Sequence, residues 1–258
     1  MADNLTLGRG EIHFALFKDA IYTPAGERYF GNTPEFSLTI EEETLEHFSS
    51  DRGIREKDDS ISLETTRTGQ LVTDNISVEN VALFFFGAAS VVADAGATVL
   101  DEQHVDVQKG YTYQLGISST RPTGAKSVAS VTVRSAATGG TLYVANTDYT
   151  LDAERGRITI LTTGSIAEGA DIFVDYTIQA KSFKRVISGS SPVEGAMRFL
   201  AKNPKGENHD FYFPRVQIKP NGDYALKGED WQQIPFTIDI LKRTDREAIY
   251  RDGLPYTP

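Results

Sequence analysis

The sequence contains no cysteine. That absence removes disulfides, thiolate zinc sites and cysteine nucleophiles together. It suits synthesis in a reducing cytoplasm and equally a protein that must persist outside a cell without redox liability. Excess basic charge is also missing. Lys and Arg number 26 against 36 Asp and Glu, a formal charge of −10, which argues against tight nucleic-acid binding because phosphate contacts need Lys and Arg. No apolar run is long enough to span a bilayer. The longest, Val81 to Ala93, is interrupted by Gly87 and Ser90 and falls short of the ~20 residues a spanning helix needs, so no membrane contact is expected. Met1-Ala2-Asp3-Asn4 shows no basic segment followed by an apolar core, and no secretory signal is expected.

Motifs that carry chemistry are equally sparse. His13, His47, His104 and His209 are scattered, and no pair has the four-residue spacing that sets two imidazoles on one helix face for zinc. There is no Gly-x-Ser-x-Gly elbow and no Asp-x-Asp-x-Asp-Gly calcium loop. Gly8-Arg9-Gly10 lacks the strand-before, helix-after setting of a dinucleotide fingerprint. Two acidic features remain. Glu41, Glu42, Glu43 and Glu46 come near Asp58 and Asp59 if a hairpin closes, and paired carboxylates can hydrolyse a glycosidic bond. They sit beside a charged loop with no sign of a pocket to raise one pKa. Asp148, Asp152, Asp171 and Asp175 have the chemistry for calcium, but turns and edge strands account for them equally. The expectation is a protein with no catalytic residues, no cofactor and no metal, and not an enzyme.

What is present is strand texture in three blocks. Glu11-Ile12-His13-Phe14-Ala15-Leu16-Phe17 alternates polar and apolar residues. In 35–43, Phe36, Leu38 and Ile40 share one face, and Ser37, Thr39 and Glu41 the other. Alternation resumes with Ile61, Leu63 and Thr65 in one row and Ser62, Glu64 and Thr66 in the other. Two long strands joined by a long charged loop, Glu46 to Asp59, are therefore expected. Val78 to Gly87 predicts one helix, capped by Ser77, stopped by Gly87 and buried on most sides. The middle of the chain is richer in Gly, Ser, Thr and Ala, with short strand candidates at 127–134, 142–144, 157–161 and 171–178. That is the pattern of a small inserted antiparallel module. Bulkier strands return at 197–200, 211–213, 216–218 and 234–241, and the residues after Tyr250 read as an extended arm. The fold class expected is mainly β: one β-barrel or sandwich domain (1–92 with 185–258) carrying one flanking helix, plus an inserted outer β module (93–184).

Charge is unevenly spread. Residues 1–88 hold 16 acidic against 7 basic side chains, whereas 89–188 hold 10 against 9 and 189–258 hold 10 against 10. A solvated acidic face explains this as well as a surface that repels nucleic acid.

Three stretches give a resemblance to a known family. The first is the order strand, charged loop, strand, then Thr73-Asp74-Asn75-Ile76-Ser77-Val78-Glu79-Asn80-Val81-Ala82-Leu83-Phe84. The second is Asn146-Thr147-Asp148-Tyr149-Thr150-Leu151-Asp152, with Gly156-Arg157-Ile158-Thr159-Ile160-Leu161 and Val174-Asp175-Tyr176-Thr177. The third runs from Met197-Arg198-Phe199 through Asn203-Pro204-Lys205-Gly206-Glu207-Asn208 to Phe211-Tyr212-Phe213-Pro214-Arg215-Val216. In order and texture the chain resembles the tail tube (major tail) proteins of long non-contractile-tailed bacteriophages, and is close to subunits of the flagellum-targeting type.

The resemblance implies a virion protein assembled in the host cytoplasm, a homohexamer whose rings stack helically into a tube. Each subunit would give a sheet to a continuous inner barrel with a helix outside it, and a long loop would reach the next ring. Partners would be further copies and other tail proteins (tape measure, terminator, tip). Genome DNA would leave through an acidic lumen without tight binding. On that basis Thr39, Glu41, Glu43, Glu64 and Thr66 are expected to face the lumen, or the opposite row if the register slips by one. The loop bearing Phe48, Asp51, Arg52, Ile54, Arg55, Glu56, Lys57 and Asp58 is expected to make the ring-to-ring contact, its mixed signs suiting another copy. The alternative is a two-domain β-sandwich adhesin or carbohydrate-binding protein, which the middle module alone would fit. The tube of a bacterial secretion machine shares the architecture but moves effectors.

Overall fold

The computed structural model describes residues 5–18, 22–51 and 53–252. The structure is mainly β, with a single α-helix among the described residues. It divides into two compact units, Met1–Ser90 with Arg185–Pro258, and Val91–Lys184.

The first unit begins with β1 (Gly10–Leu16), β2 (Arg28–Tyr29), β3 (Glu35–Ser49), β4 (Glu56–Thr73) and helix α1 (Val78–Phe84). The chain leaves it along β5 (Ala88–Asp94). The second unit holds β6 (Ala97–Val107), β7 (Thr112–Gln114), β8 (Val128–Arg134), β9 (Leu142–Tyr143), β10 (Tyr149–Asp152), β11 (Arg157–Ile160) and β12 (Ala170–Ile178). β13 (Lys181–Ile187) pairs with β5 as the chain returns. β14 (Val193–Ala201), β15 (Phe211–Pro220), β16 (Ile234–Ile240) and β17 (Tyr250–Arg251) complete the first unit.

The first unit is one open antiparallel sheet in the order β2-β1-β14-β15-β16-β4-β3, with β17 added to β15. Its two faces follow from strict alternation. In β16, Ile234, Phe236, Ile238 and Ile240 are buried, while Pro235, Thr237 and Asp239 point the other way. Ile12, Phe14, Leu71, Met197, Phe213 and Ile218 join the buried side, each full burial contributing about 1.5–3 kcal/mol. Helix α1 packs on this side. Leu83 is buried and Phe84 meets the Phe236 ring edge-on at 6.2 Å. The outward side is polar, as expected for an antiparallel sheet with one wet face.

The helix differs from expectation at its end. Ser77 does cap it, its Oγ accepting the Asn80 amide at 3.2 Å. The helix stops at Phe84, however, and Phe86, not Gly87, takes the left-handed conformation (φ 50°). Gly87 is required for another reason: a Cβ there would lie 1.9 Å from the Ile187 carbonyl oxygen. Within the helix Asn80, Ala82 and Leu83 are buried, Val78, Val81 and Phe84 are half-buried and Glu79 alone is exposed, as expected; Phe85, the residue that follows, is exposed.

The second unit stacks two small sheets, β6-β12-β8-β9 and β10-β11-β7, on a separate core that includes Val107, Leu115, Val133, Ile158, Ile172 and Tyr176. β6 escapes sequence alternation because its pairing with β12 is bulged twice, with Asp101 and Asp106 at positive φ.

Candidate functional site

The β3–β4 hairpin is the feature that a self-contained sheet does not need. β4 has β16 beside it only from Thr68 to Thr73, yet β3 and β4 stay paired from Glu35–Val72 out to Ser49–Glu56. From Ile40 outward the hairpin is a bare two-stranded ribbon, reaching roughly 30 Å at about 3.4 Å per residue. Both strands are exposed there on both faces.

Register fixes which residues share a face. Thr39 stands opposite Thr68, Glu41 opposite Thr66, and Glu43 opposite Glu64. Phe36 and Leu71 pair on the core side, so Thr39, Glu41, Glu43, Glu64 and Thr66 all lie on the outward side. They continue a row that runs across five strands: Thr39 and Thr68 align with Asp239 and Gln217, then Glu194. Over the body of the sheet this face is charge-balanced, with Arg215 on Glu194 at 3.0 Å and Lys219 on Asp239. On the ribbon, Glu41, Glu43 and Glu64 make no ion pair among the described residues. The acid excess of the first third is thus concentrated on one face of the hairpin.

The long loop from Glu46 to Asp59 does not form. β3 runs to Ser49 and β4 starts at Glu56, which leaves a short turn. Phe48, Glu56, Lys57 and Asp58 are strand residues; Asp51, Ile54 and Arg55 belong to the turn, and Arg52 lies outside the described residues. The mixed charges that read as a loop pair across the ribbon instead, Lys57 with Glu46 at 2.6 Å and His47 with Asp58 at 2.5 Å. A bulge at His47/Phe48 hides the alternation.

A second bulge, at Glu43/Thr44, corrects the row expected for β4. Ile61 pairs with Leu45 and so shares the face of Glu64 and Thr66, not that of Thr65. Leu45, Ile61 and Leu63 are 61, 57 and 58% exposed. This apolar group was missed because a period-two count cannot register an inserted residue.

The acidic residues considered for chemistry do not converge. Glu41 and Glu43 lie on one ribbon face; Glu42 lies on the other, where Ser62 Oγ donates to it. Asp148 accepts the Val144 and Ser165 amides, both at 2.7 Å, and these bonds, the Ser165 amide foremost, hold its carboxyl below the usual range. Asp152 caps its own turn through Arg155, Asp171 accepts the Asp106 amide, and Asp175 pairs with Arg134. In the second unit Glu102 sits half-buried, taking the Gly116 amide at 2.9 Å and the Tyr176 hydroxyl, with His104 Nε2 at 3.3 Å. Burial pushes this carboxyl up, but the nearby His104 and the bonds from Tyr176 and Gly116 outweigh it and hold it low. Tyr176 is pushed up by the same burial and by its carboxylate partner.

A cleft of about 490 Å³ in the first unit is lined by Arg198, Asp210, Tyr212, Asp245, Arg246 and Tyr250. Its polar groups are largely engaged. Arg198 binds Glu27 at 3.0 Å and lies over the Tyr212 ring, Asp210 accepts the Ala201 amide at 2.9 Å, and Asp245 is held by Arg243.

Fold and hairpin together define a mainly β protein with several antiparallel sheets and, among the described residues, one helix. Residues 5–249 match the family described as "protein of unknown function UCP028589", and the chain belongs to it. No curated protein matches the chain.

Proposed function

We propose that this protein is a structural subunit that self-assembles into stacked sixfold rings, forming a phage tail tube through which genome DNA passes along an acidic wall. One observation carries this: a two-stranded ribbon leaves its sheet with Ile40, Leu45, Ile61 and Leu63 in water. An isolated hairpin is marginal in water, and an exposed apolar ribbon invites pairing. Partner copies would cover both liabilities. The open edge at β3 and the polar outward face suit an inner barrel closed between subunits. Glu41, Glu43 and Glu64 on that face would repel phosphates within the Debye length of roughly 8 Å. In this setting the protein works without catalysis, in the virion, alongside other tail proteins.

The test is negative-stain electron microscopy of the purified protein at rising concentration. Hollow tubes or sixfold rings are expected; a compact dimer without rings overturns the proposal. The carbohydrate-binding alternative draws on the Tyr212–Tyr250 cleft, whose rings stand 6.5 Å apart. It predicts glycan-array binding that Tyr212→Ala abolishes.

A further inference from the structure

We propose that the surface around Trp231 receives the hairpin tip of a second copy of this chain, which makes the contact head-to-tail. This rests on the assembly proposed above and names the receiving surface, which the hairpin alone does not.

Trp231 is the chain's one tryptophan and is 93% exposed; Leu226 nearby in sequence is 76% exposed. Both lie in the connection between β15 and β16. Scattered exposed aliphatics are ordinary, but an exposed indole is a large unspent anchor, the residue type most enriched at energetic centres of interfaces. Hollows flank it on both sides, one reaching Val72 and Pro235, the other Asp74 and Ile76.

Sheet register says what can cover it. β15 ends where Pro220 pairs with Phe236, and β16 starts where Ile234 pairs with Thr73, the last residue of β4. The Trp231 connection therefore sits at the end of the sheet where β4 finishes. The hairpin tip sits where β4 begins, at Glu56. Eighteen strand residues separate them, roughly 60 Å, so the tip cannot reach Trp231 within one chain. Two unmatched ends on one sheet give a heterologous contact, which propagates into a stack instead of closing as a dimer.

The two ends are also complementary. The tip offers Ile54, 74% exposed, and the Arg55 guanidinium, which lies over Phe48 at 4.9 Å. The Trp231 connection carries Asp223, Glu229 and Asp230, none of them in an ion pair among the described residues, against Lys227. An arginine meeting an indole among carboxylates gains from both the ring face and the charge.

The cysteine-free chain makes the test clean. Asp51→Cys and Gly228→Cys, which flank the two anchors and leave both in place, should give, when combined in one chain and oxidised, a ladder of covalent dimers, trimers and higher species. The two single variants mixed should stop at dimers. Both positions are exposed, so folding is not at stake. As an independent readout, the wild-type tryptophan emission should shift to the blue on assembly. Arg55→Glu should raise the concentration needed for assembly by about tenfold or more. Rings or tubes that form with no ladder and unshifted emission overturn this docking surface and leave the assembly reading standing. Absence of rings, ladder and shift together overturns both.

Discussion

Glu43 of β3 stands directly across from Glu64 of β4, on the ribbon face turned away from Phe36 and Leu71. Like charges directly opposite destabilise a strand pair, with cross-strand pairs contributing roughly 0.2–1 kcal/mol. Glu64→Gln should therefore stabilise the subunit by about that amount at low salt, and the gain should shrink at high salt as the repulsion is screened. Urea midpoints at two ionic strengths measure this. A loss of stability would mean that the bond Thr66 Oγ1 donates to Glu64 at 3.2 Å outweighs the repulsion.

Asn80 is the polar centre of the first unit and fully buried. Its side-chain amide donates to the carbonyls of Phe30 at 2.8 Å and Asn75 at 2.9 Å, and its oxygen accepts from Arg28 at 2.8 Å. Asn80→Leu strands those partners. It should cost about 1–3 kcal/mol or more, read as a lower urea midpoint. A variant as stable as wild type would show that water replaces the amide.

Much of this fold was legible in the sequence, and the exceptions have physical causes. β16 alternates cleanly because one face meets a core and the other water, and Ser77 announces the helix start by its own hydroxyl chemistry. The face shared by Thr39, Glu41, Glu43, Glu64 and Thr66 was legible because alternation runs without a break from the core end of the hairpin to the Glu43–Glu64 pair. The distal hairpin was not, since Lys57–Glu46 and His47–Asp58 are ion pairs between strand residues of loop-like composition. The Trp231 surface was invisible because no local pattern distinguishes an exposed tryptophan from a buried one.

In the second unit, acid should act through Glu102. Its folded pKa lies below the ordinary value of 4.5, so its stabilisation is complete above that value and is lost as pH falls through the lower folded one. Urea midpoints should fall as the pH drops below about 4.5. In Glu102→Gln the stability at pH 7 should already be lower, by about 1–3 kcal/mol for the lost charged partner of Tyr176 and Gly116, and less should remain to lose in acid. An identical acid limb in the variant would place the sensitivity elsewhere.

Leu45 and Ile61 separate folding from assembly. They pair across the ribbon and are 61 and 57% exposed, so the free subunit gains little from them. Leu45→Ser with Ile61→Ser should leave the unfolding free energy from urea titration within about 0.5 kcal/mol of wild type, as for surface positions generally. In an assembled tube the same side chains would be covered. Each buried aliphatic is worth about 1.5–3 kcal/mol, so the double variant should assemble only at concentrations at least tenfold higher, or not at all. Sedimentation velocity over a concentration series reads this directly. Unchanged assembly with unchanged folding would mean that this apolar pair meets no partner copy.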